Sequence, residues 1–222
     1  MAVSRLDDAS SFLFGVWRSR PRSKRVVSAI AVLMALTGTV MMLYPFITNA
    51  YSSTQQARLA EQFGSPQFAS QFQAGQVEDG QVLTRILINR IAVDSLVVEG
   101  TDARALRAGA GHYKYSAFPC KPGNVGIAGH RTTYGKPFNR LDEVKVGDEI
   151  VLITPSDKCT YKVVDAPSGE QKVKGGAGWI THPGDSAVVG PIKGGEFLTL
   201  TTCHPKGSAA KRLILRAQLV ES

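Results

Sequence analysis

The chain has 222 residues, of which 43% are hydrophobic, so it can form one domain of moderate size with appendages. The net charge of +8 is unevenly distributed, because residues 1–25 hold six basic and two acidic residues and so contribute half of the excess. A basic cluster beside an apolar stretch is typical of membrane topology, and it argues against a basic face for nucleic acid. We therefore expect no nucleic-acid partner.

The apolar stretch over residues 26–47 carries no charge. A membrane-spanning helix needs roughly 20 apolar residues, so this stretch is long enough. A cleaved secretory signal has a shorter apolar core followed by small residues, whereas Tyr-Pro-Phe occupies positions 44–46 here. We predict a basic cytoplasmic tail over residues 1–25, a transmembrane signal anchor over residues 26–49, and an extracellular chain beyond them. A buried core helix is the alternative, but nothing else in the chain is long enough to surround it.

Residues 50–81 are predicted to form an extracellular juxtamembrane linker, of which residues 50–63 could continue as a short helix. Residues 82–222 contain short β-like runs separated by Gly and Pro turns, which predicts a separate domain. Two short helices are predicted around Asp102–Ala108 and Pro137–Leu141. Seven or more short strands with few helices indicate an all-β fold, either a closed barrel or a sandwich. The predicted strands are Thr84–Ile91, Ser95–Val98, Asn124–Ala128, Glu149–Thr154, Thr160–Val164, Phe197–Thr202 and Arg212–Val220.

Three chemically useful residues stand at the ends of these strands. Cys203 ends one strand and Arg212 begins the next, with the polar loop His204–Lys211 between them. If the two strands pair antiparallel, Cys203 and Arg212 face each other at ~4.5–5.5 Å between Cα atoms. His130 follows a third strand, where it is well placed to reach a site on a neighbouring strand end.

A cysteine, a histidine and an arginine together suit nucleophilic acyl transfer. The thiolate is the nucleophile, and an ordinary cysteine with a pKa of about 8.5 supplies little of it unless a cation lies nearby. His130 can protonate the amine that leaves when a peptide bond breaks. Arg212 can donate hydrogen bonds to the substrate or to the developing oxyanion.

Each of these residues also has a structural interpretation. Cys203 could be a small buried hydrophobic residue, and His130 a structural histidine. His204 adjoins the thiol, but neighbouring strand residues point to opposite faces. His112 and His182 are expected in loops or on the surface. No His or Cys pair has the spacing of a zinc site, and we expect neither a metal nor another cofactor.

Two motifs identify a family. The stretches Ala128-Gly-His-Arg131 and Thr199-Leu-Thr-Thr-Cys203, with an arginine nine positions after the cysteine, resemble the sortases over residues 86–220. The form TLTTCHP, with AGHRTTYG upstream, is most similar to the actinobacterial class E sortases. The resemblance implies an eight-stranded sortase-type β barrel, and it identifies residues 82–222 as a sortase catalytic domain.

The resemblance also implies a reaction and its residues. Cys203 would cleave a Leu-Ala/Pro-x-Thr-Gly sorting motif between Thr and Gly through a thioester, with His130 as proton donor and Arg212 as the substrate and oxyanion group. Thr202 matches a position that assists substrate binding. Tyr113 matches a loop that is linked to preference for Ala in the motif.

The remaining cysteines depart from the family pattern. Cys120 and Cys159 lie outside both motifs, and the odd total of three cysteines leaves room for one free thiol. Because an extracellular setting permits disulfides, we predict a structural disulfide between these two residues.

The implied partners are surface proteins with a C-terminal sorting signal, the amine of a peptidoglycan precursor or a pilin as acceptor, and the membrane. Two alternatives remain at this point. A membrane-tethered β domain could bind a cell-wall component without chemistry, and a cysteine peptidase could hydrolyse its thioester rather than transfer it.

Overall fold

The computed structural model describes residues 21–221, so all but the last five residues of the predicted cytoplasmic tail lie outside the described residues. Helix α1 extends over Pro21–Phe63. By length and composition, α1 is the single described helix that could cross a membrane; its most apolar window has a mean hydropathy of 2.3 and is fully exposed. Contacts divide the chain after Tyr44 into two units, and all features below belong to the second, which begins at Pro45.

The second unit is built around ten β-strands. They are β1 Val82–Ile88, β2 Val93–Glu99, β3 Ala110–His112, β4 Asn124–Ala128, β5 Glu149–Ile153, β6 Lys158–Val163, β7 Gln171–Lys172, β8 Trp179–Thr181, β9 Phe197–His204 and β10 Lys211–Glu221. Their order in the sheet is β6-β5-β1-β2-β3-β4-β9-β10-β8-β7, and β6 also pairs with the far half of β10. Eight strands therefore close into a ring, and the β7–β8 hairpin extends the sheet beside the start of β10. The predicted closed barrel of eight strands is confirmed.

The barrel interior is filled by side chains that alternate along the strands. Leu198 and Leu200 of β9 lie opposite Ala217 and Leu215 of β10 within one continuous buried cluster. This period of two is what a half-buried strand requires, and it makes every other residue of β9 point away from the core. The residues that point away are the ones that form the site described below.

Two helices pack on the outside of the ring. Helix α2, Pro66–Gln73, begins with Ser65 as its N-cap, whose hydroxyl accepts the Phe68 N–H at 3.2 Å. Phe68 and Phe72 of α2 are buried with Leu59 of α1 in a cluster that includes Leu83 of β1. The segment expected as a juxtamembrane linker is thus largely helical, because its few aromatic residues cover an apolar patch on the barrel.

Boundaries of the predicted elements differ from the observed ones mainly where elements are short. Helix α3 occupies Ala103–Ala108 and is capped by the Asp102 carboxylate. The helix expected around Pro137–Leu141 is instead a 3-10 turn at Leu141–Glu143. Strands β3, β7 and β8 were not predicted, because runs of two or three residues are too short to show a periodicity.

A disulfide joins Cys120 to Cys159, with 5.6 Å between their Cα atoms. Cys159 is fully buried on β6, and Cys120 lies in the β3–β4 connection. Cys203 is the free thiol of the described residues, so the pairing suggested by the odd cysteine count is the one observed.

Candidate active site

Cys203 and Arg212 stand opposite each other where β9 and β10 meet. The antiparallel register of these strands pairs Cys203 directly with Arg212. The thiol is partly exposed, as a nucleophile must be. The Arg212 guanidinium donates through Nη1 to the carbonyl of Ala209 in the connecting loop, at 3.0 Å, and to that of Lys211 at the start of β10, at 3.1 Å.

His130 reaches the same end of the sheet from β4. Strands β4 and β9 run parallel, with Ala128 beside Thr201, and the Gly129 N–H donates to the Thr201 carbonyl at 3.0 Å. Continuing this register by two residues puts His130 beside Cys203. The parallel pairing thus brings together two residues that are far apart in sequence.

The ring of Phe138 packs closely against the backbone of Gly129, the residue before His130. A Cβ on Gly129 would lie 2.6 Å from the ring of Phe138, so only glycine leaves room for that ring. Phe138 is fully buried, and its N–H donates to the His130 carbonyl at 3.2 Å. The chain after His130 therefore folds back against the end of β4, and this fixes the backbone position of His130.

Burial makes His130 harder to protonate. Partial burial lowers the pKa of His130 below its ordinary value of 6.5, and the nearby positive charge of Arg107 lowers this pKa further. The imidazole also packs beside the ring of Tyr134, with 5.1 Å between ring centroids. At neutral pH the resting imidazole is consequently mostly neutral and can accept a proton before it donates one.

The face of β9 that carries the thiol is covered on both sides by large side chains. Tyr113, which follows β3, reaches across β4 and shares a 2.9 Å hydrogen bond with the hydroxyl of Thr201. From the other side, Arg216 of β10 donates to the Thr199 hydroxyl at 3.3 Å and lies 5.0 Å from the centre of the Trp179 ring. These groups leave Cys203 at the open end of a polar surface.

Thr202 lies on the opposite face of β9 from the thiol. It is buried, and its hydroxyl donates to the Gly129 carbonyl at 2.7 Å, so it joins the strand of the nucleophile to the strand of the histidine. The roles of Thr202 and Tyr113 in substrate binding stay predictions, as do the catalytic roles of Cys203, His130 and Arg212.

Arg131 is a residue whose contribution the sequence analysis missed. It is buried, and its Nη1 donates to the Cys203 carbonyl at 3.1 Å and to His204 Nδ1 at 3.0 Å. Its Nη2 pairs with Asp142 at 3.0 Å. Arg131 thereby ties the backbone of the nucleophile to the segment after His130. Its place in the Ala128-Gly-His-Arg131 motif was the one available signal.

The other histidines are separate from this arrangement. The expectation that His112 lies in a loop or on the surface is wrong: it belongs to β3 and is 1% exposed. Its Nδ1 is 2.9 Å from the buried Glu99 carboxylate and its Nε2 is 2.9 Å from the Ala117 carbonyl. His182 is exposed in a turn. Within residues 24–221, no group of three or more His, Cys, Asp or Glu side chains is arranged to hold a metal ion.

A closed eight-stranded barrel with a cysteine, a histidine and an arginine at adjoining strand ends has the architecture of the sortases. Residues 86–220 match the sortase domain, and the chain therefore belongs to the sortase family.

Sortase D of Bacillus subtilis (strain 168) is 35% identical over 127 residues, which are 56% of this chain and 57% of that protein. Sortase SrtE1 of Streptomyces coelicolor is 32% identical over 139 residues, which are 56% of this chain and 36% of that protein. The chain thus spans between 36% and 57% of the length of these curated relatives. The structure of a Clostridium perfringens sortase D5 transpeptidase superposes with a TM-score of 0.62 at 25% identity, over 77% of this chain and 99% of that one. The expected resemblance to sortases, including the class E enzymes, is confirmed.

Proposed function

We propose that the chain is a membrane-anchored cysteine transpeptidase that cleaves a Leu-Ala/Pro-x-Thr-Gly sorting motif between Thr and Gly and transfers the Thr carboxyl group to an amine. The observation that carries this proposal is the placement of Cys203, a free thiol, with His130 and Arg212 at the adjoining ends of β9, β4 and β10. Family membership supports it.

In the first half of the reaction, the Cys203 thiol transfers its proton to the neutral His130, and the resulting thiolate attacks the Thr carbonyl of the motif. The Arg212 guanidinium, of which only Nη1 is engaged by backbone carbonyls among the described residues, donates to the substrate or to the oxyanion that forms. The protonated His130 gives its proton to the Gly nitrogen as the C–N bond breaks. A thioester between Cys203 and Thr remains, and the Gly-containing fragment leaves.

In the second half, an amine attacks the thioester. The neutral His130 takes a proton from this amine, and the lowered pKa of the imidazole keeps it in the accepting form at this stage. An amide forms, and the released thiolate takes the proton back from His130, which restores the thiol and the neutral imidazole of the starting state. The acceptor is an amine of a peptidoglycan precursor or of a pilin, and the donor is a surface protein with a C-terminal sorting signal.

The proposed location follows from α1 and from the basic residues before it. The apolar part of α1 serves as a single-pass signal anchor, with the N-terminus in the cytoplasm and the barrel outside. An extracellular barrel also accounts for the Cys120–Cys159 disulfide, since disulfides persist in oxidising environments.

The test uses the full chain in detergent with a peptide that contains Leu-Ala-x-Thr-Gly, with and without triglycine as the acceptor. We expect a thioester adduct on Cys203 by mass spectrometry, release of the Gly fragment, and a Thr–Gly ligation product when triglycine is present. Hydrolysed peptide without ligation would instead identify a peptidase. If neither an adduct nor cleavage is observed with Ala- or Pro-containing motifs, the result would favour a non-catalytic domain that binds a cell-wall component.

Matched variants assign the roles. Cys203→Ala should abolish the adduct. His130→Gln should lower the rate by about 10²–10⁴-fold, because it removes the proton donor. His182→Gln is the control, since His182 is an exposed histidine in a turn. Equal rates for the two histidine variants would reject His130 as the acid.

A further inference from the structure

The C-terminal segment of α1 (residues 45–63) is anchored to the barrel by a side-chain amide. Gln56 Nε2 donates to the carbonyls of Leu96 and Ala108, at 3.1 and 3.0 Å, and Gln56 Oε1 accepts the Leu96 N–H at 2.8 Å. The amide thus acts as a hydrogen-bonding partner for β2, which leaves the segment little freedom to rotate or slide. Leu59, one turn further along, is buried in the cluster beneath.

The same segment contacts the loop that follows the histidine. In this His130 loop (residues 131–137), Tyr134, Gly135 and Lys136 have consecutive positive φ angles of 50°, 73° and 42°. Left-handed backbone is unfavourable for residues that carry a Cβ, so the surroundings must impose it on Tyr134 and Lys136.

Residues of α1 supply those surroundings. Asn49 Oδ1 accepts the Gly135 N–H at 3.0 Å, and a Cβ on Gly135 would lie 2.8 Å from the Ser52 hydroxyl. The ring of Tyr51 meets the ring of Tyr134 edge-on at 6.5 Å between centroids. A cavity of about 560 Å³ borders the loop and α1 at Asn49, Ser52, Tyr134 and Gly135. The loop therefore has open space beside it, and the α1 contacts limit its movement into that space.

The imidazole is next in this series of contacts. The Tyr134 ring packs beside His130, 5.1 Å between centroids and tilted by 37°. The series runs from Asn49 and Tyr51 of α1 through Tyr134 to His130, which precedes Tyr134 by four residues.

We propose that Tyr134 is a positioning residue for His130 and that Asn49 and Tyr51 of α1 hold Tyr134 in place, so that α1 is part of the working enzyme and not only its anchor. This inference rests on the proposed function for its effect on peptide transfer. The packing itself is testable without any substrate.

The test uses the full chain in detergent and four variants. Asn49→Ala and Tyr134→Ala remove links of the series, and Tyr134→Phe retains the ring. Thr54→Ala is the matched control on the same segment, because the Thr54 hydroxyl is exposed and, among residues 21–221, bonds only to Ala50 of its own helix.

The deciding measurement is the titration of His130 by NMR, through its Cε1–H signal. In Asn49→Ala and Tyr134→Ala the pKa of His130 should rise toward its ordinary value, since burial is the main cause that lowers it. Tyr134→Phe and Thr54→Ala should leave the titration unchanged. In peptide transfer, kcat should fall by about tenfold to a hundredfold in the first two variants with little change in KM, because a misplaced catalytic group costs rate rather than binding.

The outcomes separate the two ideas. An unchanged His130 titration in both Asn49→Ala and Tyr134→Ala overturns the positioning inference, whatever the activity shows. If the unmodified chain transfers no peptide, the proposed function fails, while the titration still decides the positioning. If Tyr134→Ala does not fold, Asn49→Ala carries the test, because it removes a single bond at the helix surface.

Discussion

The Cys120–Cys159 disulfide should supply a large part of the stability of the barrel. It joins positions 39 apart in sequence, from the β3–β4 connection to β6 across the interior cluster. In the chain-entropy treatment, closing a loop of this length stabilises the folded state by about 4 kcal/mol at 25 °C. Typical domains have only 5–15 kcal/mol in total, so the double variant Cys120→Ala/Cys159→Ala should remain folded but be clearly weakened.

Urea unfolding of residues 45–222 measures this effect. Trp179 is the single tryptophan in that part of the sequence and is buried, so its fluorescence reports unfolding. With a slope of about 2 kcal/mol per molar urea, the midpoint should fall by about 2 M. Every protein should also carry Cys203→Ala, which prevents thiol exchange with the free cysteine.

Reduction of the bond provides an independent comparison. The protein that retains Cys120 and Cys159, treated with a reductant, should have nearly the same urea midpoint as the double alanine variant, since both lack the disulfide. A shift below about 0.5 M in either case would refute the reasoning, because the unfolded chain would then gain little freedom from the broken bond.

Three further predictions concern single residues. Glu99→Ala removes the carboxylate that is hydrogen-bonded to buried His112 Nδ1 and should lower the free energy of unfolding by about 1–3 kcal/mol, measured by urea titration. Arg107→Gln removes a positive charge near His130, so an NMR titration should show a higher imidazole pKa. Because a depressed folded-state pKa costs stability as pH falls through 6.5, this variant should also lose less stability on acidification than the unaltered protein does. Gly129→Ala forces the Phe138 ring to move and should reduce kcat/KM by on the order of 10²-fold in the ligation assay. Activity equal to that of the unaltered protein would show that the contact between Gly129 and Phe138 does not matter for catalysis.

The fold was largely predictable because its longer strands have clear signals. Asn124–Ala128 matches β4 in both bounds, and β9 and β10 begin within one residue of the predicted positions. The closure of the ring was not predictable by periodicity, since it depends on β6 pairing with the second half of β10. No local pattern encodes a contact between segments so far apart, and the resemblance to a family supplied it.

The site was predictable in its residue types but not in its supports. Opposed placement of Cys203 and Arg212 follows from a simple antiparallel hairpin, and the structure has that register. Arg131 and His112 could not be assigned from the sequence, because their partners Asp142 and Glu99 are recognisable only once the loops and β3 are folded.

The closed ring leaves little backbone available for pairing with other molecules. The described sheet ends at β7, which has only two residues, both exposed, and Lys172 of this strand pairs with Asp165. A short, charged terminal strand discourages another chain from adding to the sheet. Copies of this barrel at high local concentration should therefore not aggregate edge to edge.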